Sequence, residues 1–208
     1  MNIFVLSCCA ATAAELHCDK HCVKMILETA QLLYTHLDAI GVRLPAVGDL
    51  KPYKPTHRHH PCALWLHGGR AHFYWLLELG LRLCASYTKR YGKVHKTEAH
   101  LRHMAKHVRP AQLERTCGSA AWLRRLAARG VAPKLVRACA SKVATHKPPK
   151  GCRFGVACIT DGTVAPERHA ASGQIDLIGS YKKFYAFKRA HKFAMTWNRT
   201  QTVPRALR

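Results

Sequence analysis

The chain has 208 residues, 34 of them Lys or Arg against 11 Asp or Glu, for a formal net charge of +23, and 48% are hydrophobic. This describes a globular chain with a strongly basic surface, suited to phosphate backbones through counterion release. It excludes a membrane-spanning protein, since no apolar run reaches the about 18 residues of a membrane helix, and the basic residues are spread along the chain rather than gathered in one polybasic tail.

Ten cysteines occur, with no C-x-x-C pair among them. Met1 to Ala14 lacks the basic leading region of a secretory signal, and many cysteines fall on predicted helix faces as small hydrophobes, so the expected setting is an intracellular, reducing compartment. His17, Cys18, His21 and Cys22 form i,i+4 pairs that offer metal ligands, and Cys62 lies near His57, His59 and His60. The spacing supports zinc only weakly, and no metal or other cofactor is assigned.

In chain order, Asn2 to Leu6 (NIFVL) is short, apolar and β-prone, with no second strand of like quality after it; it is expected to pack as an extended N-terminal segment. Thr12 to His17 makes a short helix. Cys18 to Gly41 is the long helix around which the rest is organised, with Asp19 as N-cap and Gly41 as stop. Val23, Ile26, Leu27, Ala30, Leu33, Tyr34 and Leu37 share its core face. Met25 and Leu32 add apolar surface on the far flank. Only Lys20, Lys24, Glu28, Gln31 and Thr35 stay polar, with His21 at the edge of the strip. Two readings fit that strip: Lys24 and Glu28 are an i,i+4 pair on a core helix, or Glu28 is a lone carboxylate between lysines lining a cleft.

Gly41 to His60 carries Pro45, Gly48, Pro52 and Pro55 and ends in KPTHRHHP, a long loop of the kind that often bears function. His60-Pro61 reads as a helix start, with Cys62 to Leu66 a short turn packing Leu64 and Trp65. Trp65 and Trp75 read as core rather than as stacking platforms. Arg70 to Tyr91 is the second long helix, stopped by Gly92, with Phe73, Leu77, Gly80, Leu81, Cys84 and Tyr91 on one face. Thr97 to His107 follows, Leu101, Met104 and Ala105 inward, Arg102, His103, Lys106 and His107 outward. Ser119 to Arg129 and Pro133 to Ala144 continue the pattern of one basic face per helix.

His146 to Gly179 is rich in Pro and Gly and reads as a linker or wrapping loop, with a possible strand at Arg153 to Thr160. Ser180 caps a last helix, SYKKFYAFKRAHKFAMTW, in which aromatic residues alternate with Lys182, Lys183, Lys188, Arg189 and Lys192. Such interleaving suits base stacking and phosphate contact, or equally an amphipathic helix docking on the core while its lysines snorkel. The whole is an all-α protein: a compact helical domain over residues 1–145 around one long helix, a linker over 146–179, and a basic aromatic C-terminal extension over 180–208.

HCDKHCVKMILETAQLL, then KPTHRHHPCALW, then LGLRLCASYTKRYGKVHKTE resembles a family of uncharacterised bacteriophage and large-virus proteins, whose chains also end like SYKKFYAFKRAHKFAMTW. More distantly, the order of elements over Met1 to Lys96 resembles the pyrimidine-dimer DNA glycosylases of the endonuclease V type, compact all-α proteins built on a long helix. The resemblance implies that Glu28 stands at the catalytic glutamate, that Lys20, His21 and Lys24 stand at basic positions of the same helix, and that His60-Pro61 opens the next one. It also implies, as nucleophile, the α-amine of the mature chain, which attacks the sugar C1′ at a damaged base and forms an imine. Such an amine titrates near neutrality, and a neighbouring carboxylate can move its protons.

The catalytic candidates are therefore Glu28, Asn2, Met1 and His21. In the family the first mature residue is small; here Asn2 follows Met1, before which methionine removal is inefficient, and a retained Met1 displaces the amine by one residue. The partner expected is nucleic acid, double-stranded DNA in particular, bound by Lys20, Lys24, His57, Arg58, His60, Lys182, Lys183 and Lys188, with affinity falling steeply with salt. Two further readings stand beside the enzyme: a nucleic-acid-binding structural protein that keeps the fold without the chemistry, and a base-modifying transferase using the histidine-rich loop (His57, His59, His60) and the His17/Cys18/His21/Cys22 cluster, with or without a metal.

Overall fold

The computed structural model describes residues 2–58, 60–67, 69–113, 167–168, 170–171, 176–191, 195–200 and 203–207. Met1, His59, the helices expected at 119–129 and 133–144, and the possible strand at 153–160 lie outside the described residues. Six α-helices are present, with no strand among the described residues: α1 (Ala10–Leu16), α2 (Asp19–Ala39), α3 (Pro61–Leu66), α4 (Arg70–Tyr91), α5 (Glu98–His107) and α6 (Leu177–Ala190). No helix among them is long and apolar enough to cross a membrane.

The central helix forms as its sequence requires, but its ends differ in part from expectation. Asp19 is the first helical residue rather than the cap, and its carboxylate is used elsewhere. At the other end Gly41, with φ +75°, takes the left-handed position that a side chain would resist. Its N–H donates to the Asp38 carbonyl at 3.2 Å and that of Val42 to the Leu37 carbonyl at 2.9 Å, the paired bonds of a Schellman stop.

The buried face of α2 is rotated by about 80° from the one the apolar periodicity suggests. Ile26, Ala30, Leu33, Tyr34 and Leu37 are buried as expected, but Val23 is only half-buried and Leu27 is 38% exposed. Met25, Leu32, Cys22, Thr29 and His36 are buried instead. The far flank is covered from two directions: Phe4 stacks on His21 with ring centroids 4.4 Å apart, and His67, just beyond α3, meets His36 at 4.8 Å. A single-sequence periodicity cannot register a loop and an N-terminal segment that close over a polar flank. Glu28 and Thr35 are buried as a result.

Helix α4 runs along α2, with α1 and α5 packed on it. At the crossing, a Cβ on Gly80 would lie 2.8 Å from Thr29 Cγ2 and 3.0 Å from Leu101 Cδ1, so glycine is what admits this approach. Leu81 and Tyr91, expected in the core, are half-buried. On α5, Leu101 and Met104 face inward as expected, but Ala105 is exposed and His103 is buried, its Nε2 3.0 Å from the Pro45 carbonyl. Loop 42–60 thereby gains an anchor on α5. Trp65 and Trp75 are core residues.

The last helix begins at Leu177, capped by Asp176, whose carboxylate accepts the Gly179 N–H at 2.9 Å, and it ends at Ala190 rather than at Trp197. Ser180 lies inside it. An Asp at the cap position competes well with a serine four residues later. Tyr181, Phe184 and Tyr185 are buried in the same hydrophobic cluster as Phe4. The docking reading of this helix is therefore the observed one.

Candidate active site

The N-terminal segment reaches α2 because its apolar residues bury: Ile3, Phe4, Val5 and Leu6 all lie in the core. That burial delivers Asn2 to the middle of the helix, where its backbone N–H donates to Glu28 Oε2 at 2.9 Å. The other carboxylate oxygen, Oε1, faces Lys24 Nζ at 3.1 Å. Glu28 keeps a tenth of its side chain exposed, while Lys24 is 68% exposed. The ion pair therefore contributes only a few tenths of a kcal/mol and leaves the lysine able to swing away.

Asn2 is gripped at its side chain as well. Its Oδ1 accepts from the Ile3 N–H at 2.8 Å, from the Tyr181 hydroxyl at 3.4 Å and from the Cys62 thiol at 3.7 Å. Those partners come from three parts of the chain: the segment itself, the start of α3 and the C-terminal helix. The backbone nitrogen of Asn2 is thus fixed against a carboxylate by contacts that no local pattern encodes.

The histidine-rich loop is tied to the same face. Thr35 Oγ1 accepts the Thr56 N–H at 3.1 Å, which holds the end of the loop on α2. Arg58 pairs with Asp38 at 3.0 Å, and His57 adopts φ +49° with its Nδ1 2.7 Å from Thr56 Oγ1. His60 caps α3, its Nδ1 accepting the Cys62 N–H at 3.1 Å, so the same turn that starts α3 presents Cys62 to Asn2. His57 and Arg58 are exposed and His60 is half-buried.

His21 is not brought to Glu28. It sits about 10 Å back along the helix axis, stacked on Phe4, with Nδ1 2.6 Å from the Tyr185 hydroxyl. Burial, with help from His17 and the nearby lysines, pushes its pKa down to about 3, so it stays neutral at physiological pH. Its place is structural, holding the N-terminal segment to α2 and α6. The C-terminal lysines are likewise distributed: Lys183 pairs with Glu167 at 2.6 Å, Lys188 Nζ lies 4.5 Å from the Phe184 ring centre, and Lys182 is half-buried.

Among the described residues, the cysteines and histidines of the N-terminal cluster have partners other than one another. His17 Nδ1 faces the Ala13 carbonyl, the Cys22 thiol faces the Leu83 carbonyl, and Cys18 faces Met195. Among the described residues no group of three or more His, Cys, Asp or Glu side chains is arranged to hold a metal ion.

Sequence reasoning missed Tyr181 and Cys62 as partners of Asn2, and it missed Arg90. Arg90 is buried and reaches the His17 carbonyl at 2.8 Å, Asp19 at 3.2 Å and the Glu15 carbonyl at 3.2 Å. Its signal is faint, an arginine in the last turn of a helix where basic residues are ordinary. Compared with protein-family models, curated proteins and solved structures, the chain matches none.

Proposed function

We propose that this protein is a nucleic-acid enzyme of the DNA glycosylase/AP-lyase type, acting on damaged or modified bases, with the nitrogen of Asn2 as nucleophile and Glu28 as its acid and base. The observation that carries the reading is the 2.9 Å contact between that nitrogen and Glu28 Oε2. With Met1 attached, the atom is a peptide amide that only donates. In a chain that begins at Asn2 it is an α-amine, a group that titrates at about 7.7–8.0 and is nucleophilic at neutral pH. The family resemblance of the α2 sequence adds support.

The chemistry closes with these two groups. The amine attacks C1′ of the damaged nucleotide, the glycosidic bond breaks, and the base leaves, taking a proton from water. Glu28 accepts the proton that the new C1′–N bond releases and passes it to the ring oxygen, which departs from C1′ as the C4′ hydroxyl and leaves an iminium. As a carboxylate again, Glu28 removes a C2′ proton, the 3′ phosphate is eliminated, and water releases the amine. Lys24 faces Oε1 and leaves Oε2 to the nitrogen.

Borohydride trapping on duplex DNA with an abasic site tests this, with mass spectrometry of the N-terminus and Glu28→Gln alongside. The expected result is a reduced adduct on the Asn2 α-amine of a chain lacking Met1, and product lost in Glu28→Gln. Tight, salt-sensitive binding with no adduct would replace the enzyme by a binding protein on this fold. Affinity flat from low to moderate salt would remove nucleic acid as the partner.

A further inference from the structure

A second surface feature adjoins the Lys24–Glu28 pair. Residues 195–199 return to the start of α2: the Asp19 N–H donates to the Thr196 carbonyl at 2.8 Å, the Trp197 indole N–H to the Leu16 carbonyl at 3.3 Å, and the Arg199 N–H to Asp19 Oδ2 at 3.2 Å. Between this segment, the first turns of α2 and the end of α4 lies an open cleft of about 430 Å³, with Lys20, Lys24, Tyr91 and Arg199 on its walls. Lys20, Lys24 and Arg199 are all exposed.

The cleft is ordered for its charge. The Arg199 guanidinium lies over the Tyr91 ring at 5.1 Å, and Tyr91 stacks on Tyr87 at 4.7 Å, so the cation rests on an aromatic column. Less rotamer entropy is then lost when it grips an anion. Asp19, the one acid among the described residues that line the cleft, is already engaged by Arg90 and by the Arg199 backbone, and so opposes an incoming anion little. Lys20 and Lys24 stand one turn apart, about 6 Å along the axis, and Lys20 lies about 12 Å from Glu28. At about 3.4 Å per nucleotide that span is three to four nucleotides.

We infer that this cleft is a sugar-phosphate track: the nucleic-acid strand runs from the target nucleotide at Glu28 over Lys24 and Lys20, and Arg199 on its tyrosine column clamps a phosphate three to four nucleotides away. The inference rests on the nucleic-acid reading above. It adds to that reading a directional footprint, carried by a C-terminal segment whose cation the sequence pattern does not single out.

The test is a fluorescence-anisotropy titration across salt, using duplex DNA with a central abasic site and two shortened duplexes that keep two base pairs on one side or the other. Arg199→Ala is expected to weaken binding about 5- to 30-fold and to reduce the salt slope by about one. Shortening one arm should reproduce that loss in the wild type and abolish the effect of Arg199→Ala, while shortening the other arm should leave the effect intact. Lys20→Ala, on an exposed helix surface, should behave in the same way and decides the matter if Arg199→Ala misfolds. Unchanged affinity and slope in both variants, or effects independent of which arm is cut, overturn the track. Loss of trapping with these binding effects retained removes the lyase chemistry and keeps the track, and a wild-type protein that binds no nucleic acid overturns both.

Discussion

Two carboxylates on α2, Asp19 and Glu28, each leave a tenth of the side chain exposed and each pair with a cation, yet their partners are of different kinds. Asp19 faces Arg90, whose side chain is 1% exposed and whose terminal nitrogens also donate to two backbone carbonyls. Glu28 faces a lysine that is mostly in solvent and the backbone N–H of Asn2. A carboxylate saturated by fixed donors is a clamp, whereas one held by a mobile cation can exchange that partner. Burial alone therefore does not separate the two carboxylates; the freedom of their partners does.

Removing Arg90 should break the clamp most severely. Arg90→Ala leaves Asp19 buried without its counter-charge and frees two carbonyls, for an expected loss of about 3–5 kcal/mol in chemical denaturation. Glu28→Gln is the opposite case: it should cost turnover on an abasic duplex about 10²- to 10⁴-fold, while stability falls by less than about 1 kcal/mol. A comparable loss of stability in both variants would erase the distinction between them.

Acid sharpens the comparison at the Asp19 end. His17 is fully buried, and that burial, with Arg90 nearby, lowers its pKa from the ordinary 6.5 to about 4. The unfolded chain therefore binds more protons between these values, so the stabilising contribution is complete above pH 6.5 and is lost as pH falls toward 4. His36, buried beside His67 and His72, shifts in the same direction. For His17 a loss on the order of 3 kcal/mol is expected from denaturation midpoints measured across that range. Stability independent of pH there would mean that these imidazoles are solvated. The smallest effect is that of Lys24→Ala, at most about 0.5 kcal/mol in stability, while trapping yield and DNA affinity should fall measurably.

The sequence made the helices legible wherever period and punctuation agreed. Arg70 to Tyr91 with Gly92 after it, and His60-Pro61 opening α3, are local facts, and they stand in the structure as read. Glu28 and Lys24 were legible as polar residues on an otherwise apolar helix. What stayed hidden was long-range. Nothing near Asn2 announces Tyr181, and nothing near Asp19 announces Arg199, because a hydrogen bond across some 180 residues leaves no spacing to count. The rotation of the buried face of α2 was hidden for the same reason, since Phe4 and His67 cover the flank from elsewhere in the chain.

The grip on Asn2 has a temporal side. Tyr181, which fixes the Asn2 side chain, is synthesised 179 residues later, a delay of roughly 10–40 s at ribosomal speeds. Throughout that interval the N-terminal segment lacks α6 to hold it down, so the Asn2 side chain gains its tyrosine partner only when the last helix has been made, and the two ends of the described fold close together.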